Sequence, residues 1–139
     1  MANDNGREQP LPVPRPAVLV VDDEVILGRS VKRMLSRDCN VTVTTSAKEA
    51  LELFARGLRF DVILCDLMMP EMTGMDLQEE LGRRVPEQAA RMVFVTGGAF
   101  TDRARLFLER SPNPRLEKPF DNQALRTLVR TLCSAAAKA

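Results

Sequence analysis

The sequence predicts an α/β fold, a doubly wound parallel sheet of five strands with helices on both faces. Three observations predict it. Short apolar runs alternate along the chain with stretches whose apolar residues recur at helical spacing. Three of those runs, AVLVV (Ala17–Val21), VILC (Val62–Cys65) and MVFV (Met92–Val95), are apolar throughout, as strands buried on both faces are. The runs also end abruptly in polar residues, at Asp22, Asp66 and Thr96, and the ends of parallel strands are where such sheets bind ligands.

Residues 1–16 carry Pro10, Pro12, Pro14 and Pro16 at alternate positions, a density that fits neither a ladder nor a helix interior, so an extended, flexible leader is expected there. The first strand, Ala17–Val21, leads to a helix whose apolar face is Leu27, Val31, Met34 and Leu35. Val41–Thr44 alternates, which suits a half-exposed strand at a sheet edge. The second helix buries Ala47, Ala50, Leu51 and Phe54, and Ser46 with Glu49 has capping-box spacing that marks its start. Leu77 and Leu81 mark a third helix after the Val62–Cys65 strand. A fourth follows the Met92–Val95 strand, with Thr101 as N-cap and Ala104, Phe107 and Leu108 on its apolar face. Arg115–Glu117, between Pro114 and Pro119, is short and polar enough for the opposite sheet edge. Asp121 caps a fifth helix with the stripe Leu125, Leu128, Val129 and Leu132. A single domain over 17–135 and a tail over 136–139 are expected.

Composition narrows the function. The 139 residues carry a net charge of +1, which argues against a nucleic-acid footprint. No apolar run approaches the ~18 residues of a membrane span, so no membrane insertion is expected. Cys39, Cys65 and Cys133 are odd in number and far apart, which disfavours zinc sites and disulfides and points to a reducing, cytoplasmic location. The chain has no histidine, so it can hold neither a histidine triad nor a phosphohistidine of its own.

The stretch VLVVDDE (Val18–Glu24) runs four apolar residues into three carboxylates. Asp22 and Asp23 follow the first strand and Asp66 follows the third; if those strands are neighbours, the acids share one crevice. Two unit charges ~4 Å apart repel by about 4 kcal/mol at an effective dielectric near 20. A cation is therefore expected among them, and Mg²⁺ suits few carboxylates, retained waters and phosphoryl oxygens. Taken singly the acids have plainer readings: Asp23 or Glu24 as a helix cap, Asp66 as a turn residue ahead of Pro70. Two further strand ends favour a site. Thr96 precedes Gly97-Gly98, where a hydroxyl and open backbone can meet an anion. Lys118 precedes Pro119, a candidate cis peptide that would aim the ammonium at the acids. Acids, a hydroxyl and an ammonium at successive strand ends are the parts of a phosphoryl-transfer site.

Taken in order, VLVVDDE, LCDLMMPEMTG (Leu64–Gly74), VFVTGG (Val93–Gly98) and LEKPF (Leu116–Phe120) resemble the receiver domain of two-component response regulators, from about Ala17 to Cys133. The resemblance implies a flavodoxin-like (βα)₅ fold with strand order 2-1-3-4-5. It implies that Asp66 accepts a phosphoryl group from a phosphohistidine on a histidine kinase or histidine phosphotransfer protein. By the same resemblance Asp22, Asp23, Asp66 and the Met68 backbone carbonyl hold Mg²⁺, Thr96 and Lys118 contact the phosphoryl group, and Pro70 and Gly74 shape the intervening loop. The domain is then a switch that catalyses only its own phosphorylation and dephosphorylation, read by protein contact. It would stand alone, as the initiating Met suggests, or belong to a hybrid histidine kinase.

One position departs from the family pattern: Arg115 stands three residues before Lys118, where receivers carry an aromatic residue. It either carries the signal in place of that ring or is a solvated edge-strand arginine. Gly97-Gly98 leaves the site mouth open to water. Other classes fit less well. An aspartyl phosphatase needs a second acid two residues after the nucleophile, where Met68 stands. A nucleotide-binding module needs GxGxxG or a P-loop lysine. A never-phosphorylated pseudo-receiver would have lost an acid, the Thr or the Lys, and all are present.

Overall fold

The computed structural model describes residues 15–98 and 101–138. The expected leader therefore lies outside the described residues except for Arg15 and Pro16, and residue 139 of the expected tail lies outside them too. Five parallel strands, β1 (Ala17–Val21), β2 (Asn40–Thr44), β3 (Val62–Asp66), β4 (Met92–Thr96) and β5 (Arg115–Glu117), form one sheet in the order β2-β1-β3-β4-β5. The two strands with partly exposed residues, β2 and the three-residue β5, are at the edges.

The apolar runs divide by the two-residue period of a strand. Leu19, Val21, Ile63, Cys65, Met92 and Phe94 face one side; Val18, Val20, Val62, Leu64, Val93 and Val95 face the other. The first set packs under α2 (Ala47–Ala55), α3 (Gly74–Arg84) and α5 (Asp102–Arg110) through Leu51, Phe54, Leu77, Leu81 and Leu108. The second packs under α1 (Val25–Leu35) and α6 (Asn122–Lys138) through Val31, Leu35, Leu125 and Val129. Leu19, Ile63 and Phe94 are wholly buried; covering both faces explains why these strands do not alternate in polarity.

Helix ends follow local chemistry. Ser46 accepts from the Glu49 N–H at 3.1 Å and starts α2 as expected, but the Glu49 carboxylate accepts from the Thr45 N–H, 2.7 Å away, one residue upstream of a reciprocal box. A full capping box instead opens α3: Thr73 Oγ1 accepts from Asp76 N and Asp76 Oδ2 accepts from Thr73 N. Thr101 caps α5 and Asp121 Oδ1 accepts from Ala124 N at 2.7 Å to start α6. One short helix is additional to the sequence reading: α4 (Pro86–Ala89), which carries buried Gln88. The Gln88 amide bonds both the N–H and the carbonyl of Phe60, at 2.8 and 3.1 Å, as a neighbouring strand would.

Candidate functional site

The strand register sets the site. Val21 of β1 lies beside Cys65 of β3, and Asp66 lies beside Val95 of β4, so the residues that end β1, β3 and β4 come out side by side. The sheet order reverses between β1 and β3, where open sheets have their crevice. Asp22 is anchored there: its N–H donates to Thr44 O at 3.1 Å and its carboxylate accepts from the Glu24 N–H at 2.8 Å. It is buried, as is Asp66, whereas Asp23 is exposed. Carboxylate oxygens of Asp22, Asp23 and Asp66 lie within 4.8 Å of one another. The expected convergence is met.

One cation faces them. The Lys118 N–H donates to Thr96 O at 2.7 Å, which fixes the end of β5 against β4. Its ammonium lies 3.0 Å from Glu24 Oε1, 3.4 Å from Asp22 Oδ2 and 3.9 Å from Asp66 Oδ2. The Lys118–Pro119 peptide is cis, as its sequence suggested. Glu24 is the partner that the sequence reading missed. It occupies the N-cap of α1 without making a side-chain cap bond and reaches instead for a lysine 94 residues away. Only its place as the third acid of the DDE run hinted at this.

The electrostatics are unbalanced. Burial, then the Asp22 charge, push the Asp66 carboxyl up to about 7, while Lys118 and the Met68 N–H pull the other way. Burial also raises Asp22, against the Glu24 N–H bond and Lys118. Burial works against the Lys118 charge, but the Glu24 bond and the nearby Asp66 and Asp22 outweigh it and raise its pKa. Loss of water on burial is the larger part of both shifts, the Asp22 charge adds to it at Asp66, and Lys118 does not offset the two together. Hard oxygen donors at this spacing fit a divalent cation of the Mg²⁺ type.

The remaining expected residues surround Asp66. Thr96 is buried, and its Oγ1 has no hydrogen-bond partner among the described residues; an unpaired buried hydroxyl costs about 1–3 kcal/mol. The Met68 N–H donates to Asp66 Oδ1 at 3.4 Å, and its side chain is exposed at the rim. Gly97 and Gly98 are exposed at the mouth, and Gly98 has a φ of 96° that favours glycine. Gly74 brings α3 against Asp66: a Cβ there would sit 2.5 Å from the Asp66 carbonyl oxygen. Arg115 is exposed on β5.

Over residues 18–130 the chain matches the family model described as response regulator receiver domain. It is 34% identical over 127 residues to the aerobic respiration control sensor protein ArcB of Escherichia coli (strain K12), an alignment covering 88% of this chain but only 16% of that protein. It is 33% identical over 110 residues to the two-component response regulator ORR3 of Oryza sativa subsp. japonica, covering 78% of this chain and 84% of that one. Its structure is similar to that of the CheY-like response regulator receiver domain protein from Methanospirillum hungatei JF-1, with a TM-score of 0.78 at 26% identity, covering 88% of this chain and 98% of the other.

Proposed function

Because the chain belongs to the response regulator receiver family, we propose that Asp66 is its phosphoacceptor and that phosphorylation there sets the state of a conformational switch. The observation that carries this is the surrounding of Asp66: two further acids within 4.8 Å, a lysine ammonium 3.9 Å away and a buried threonine hydroxyl with no hydrogen-bond partner among the described residues.

An Asp66 carboxylate oxygen attacks the phosphorus of a phosphohistidine; the new P–O bond forms as the P–N bond breaks, and the leaving imidazole takes up a proton. The donor histidine lies outside this sequence, on a histidine kinase or histidine phosphotransfer protein, since these 139 residues include no histidine. Asp66 has to be ionised to attack, yet the protein alone holds its pKa near 7. Mg²⁺ held by Asp22, Asp23, Asp66 and the Met68 carbonyl would supply the positive charge that keeps Asp66 ionised and offsets the phosphoryl oxygens. Lys118 offers its ammonium to one of those oxygens. Thr96 donates its unpaired hydroxyl to another, a bond that exists only in the phosphorylated state.

That bond is the differential contact a switch requires. It draws the end of β4 toward Asp66, and protein partners read the change. The receiver unit is residues 17–135, preceded by the proline-rich leader. The likeness to a small part of ArcB and to most of ORR3 supports two settings, a receiver within a longer sensor and a receiver that is most of its protein. No described helix is long and apolar enough to cross a membrane.

The test is incubation with Mg²⁺ and a small phosphodonor such as phosphoramidate, followed by intact mass. Wild type should gain one phosphoryl group, whereas Asp66→Asn, or wild type in EDTA, should gain none. Failure of wild type with every donor would favour a pseudo-receiver that only binds partners.

A further inference from the structure

At the end of the sheet opposite Asp66, the segments leading into the strands enclose a cavity of about 790 Å³. Its floor is apolar, formed by Leu35 of α1, Val129 of α6 and the side chains of Cys39 and Cys133. Arginines surround it: Arg15 ahead of β1, Arg37 after α1, Arg91 ahead of β4, and Arg126 and Arg130 on α6. Two carboxylates oppose these five, Asp38 and Asp61, so the lining carries +3 in a chain whose net charge is +1.

Both carboxylates are already engaged. Asp38 Oδ2 accepts from Arg126 at 3.0 Å, and Asp61 Oδ2 accepts from the Ala17 N–H at 2.8 Å. Arg15 is engaged too, donating to the carbonyls of Ser36, Arg37 and Cys39 and to Asn40 Oδ1. The others have donors to spare. Among the described residues Arg37 and Arg130 form no ion pair, Arg91 makes one bond of 3.4 Å, and the buried Arg126 Nε has no acceptor. Isolated surface arginines are ordinarily satisfied by water. Here the guanidiniums come from separate parts of the chain and converge on one concavity of ligand size over an apolar floor, with an unpaired buried donor in its wall.

We propose that this cavity binds a small organic polyanion, with its acidic groups on the guanidiniums of Arg37, Arg91 and Arg130 and a flat apolar body over Val129 and Cys133. The guanidinium fork matches phosphate or carboxylate oxygens in pairs and stacks on flat rings, which an ammonium does not. The carboxylates at the Asp66 end repel anions when no metal is present, so the two ends of the molecule are opposite in what they accept. The ligand would bridge the far ends of α1 and α6, the two helices that start beside Glu24 and just past Lys118.

The full chain is titrated in EDTA at low ionic strength with ADP, with inorganic pyrophosphate and with adenosine, by calorimetry and by backbone amide shifts. ADP should bind saturably, at least about tenfold more tightly than either fragment, with shifts confined to the arginine end, and should weaken as salt rises. Arg130→Ala and Arg37→Ala, both at exposed positions where folding is not at stake, should each weaken ADP about tenfold while Asp66 is still phosphorylated normally. Absence of saturable ADP binding, shifts centred on Asp66, or unchanged affinity in both variants would overturn the proposal. Pyrophosphate binding as tightly as ADP would overturn the role given to the apolar floor.

Discussion

Replacing Asp66 by Asn keeps the shape of the side chain and removes its charge, so it should stabilise the metal-free protein, and more so as pH rises. Burial and the Asp22 charge lift Asp66 from 3.8 to about 7, a shift of about three units at about 1.4 kcal/mol each, or about 4 kcal/mol. Asp22 is raised by burial as well, and the pair shares its repulsion, so a gain of about 2–4 kcal/mol near pH 8 is expected. The folded protein holds the Asp66 proton more tightly than the unfolded chain does. Stability from this group is therefore present at low pH and is lost as pH rises through the window from about 4 to about 7. Near pH 5 the folded wild type is still largely protonated at Asp66 but the unfolded chain is already ionised there, so the variant should gain about a third of what it gains near pH 8. Urea unfolding in EDTA at about pH 5 and about pH 8 measures both differences. Added Mg²⁺ should then reverse the order, because it binds the folded wild type better than the variant. Equal stability of the two proteins in EDTA near pH 8 would show that no charge is held there at a cost, and the electrostatic reasoning would fail.

Thr96→Val should leave the unphosphorylated protein as stable or about 1 kcal/mol more stable, because the buried hydroxyl has no partner to lose. The same variant should lose the amide shifts that phosphorylation causes along β4, as read by NMR. Gly74→Ala places a Cβ 2.5 Å from the Asp66 carbonyl oxygen; urea unfolding should show a loss of about 1–3 kcal/mol, and phosphorylation from phosphoramidate should slow. Gln88→Ala removes both bonds to the Phe60 backbone and should cost about 2 kcal/mol in urea, with Asp66 still phosphorylated.

Much of the fold was legible because its signals are local. A central strand buried on both faces is an unbroken apolar run, and β1, β3 and β4 read as such. The two edge strands were legible for the opposite reason, since alternation in β2 and flanking prolines around β5 mark partial exposure. Asp66, its acidic neighbours, Thr96 and Lys118 could be picked out because parallel strands deliver their last residues to one edge, whatever lies between them. What escaped reading depends on contacts distant in sequence or on very short elements. Glu24 looks like a helix cap until folding brings Lys118 within 3.0 Å of it. The four residues of α4 are too few to show a period, and Gln88 gains its role only when Phe60 packs beside it. Arg15 belongs to a proline-rich stretch by composition, yet its guanidinium binds the carbonyls that follow α1. Glu49 has the spacing of a capping box, and one residue of local geometry sends its carboxylate to Thr45 instead.

Locating the transferred group tests the central claim most directly. After treatment with phosphoramidate, borohydride reduces an aspartyl phosphate to homoserine, and peptide fragmentation identifies the position. Homoserine at position 66 alone, and only when Mg²⁺ was present, is the predicted result. Homoserine at another carboxylate, or the same yield at position 66 in EDTA, would contradict it.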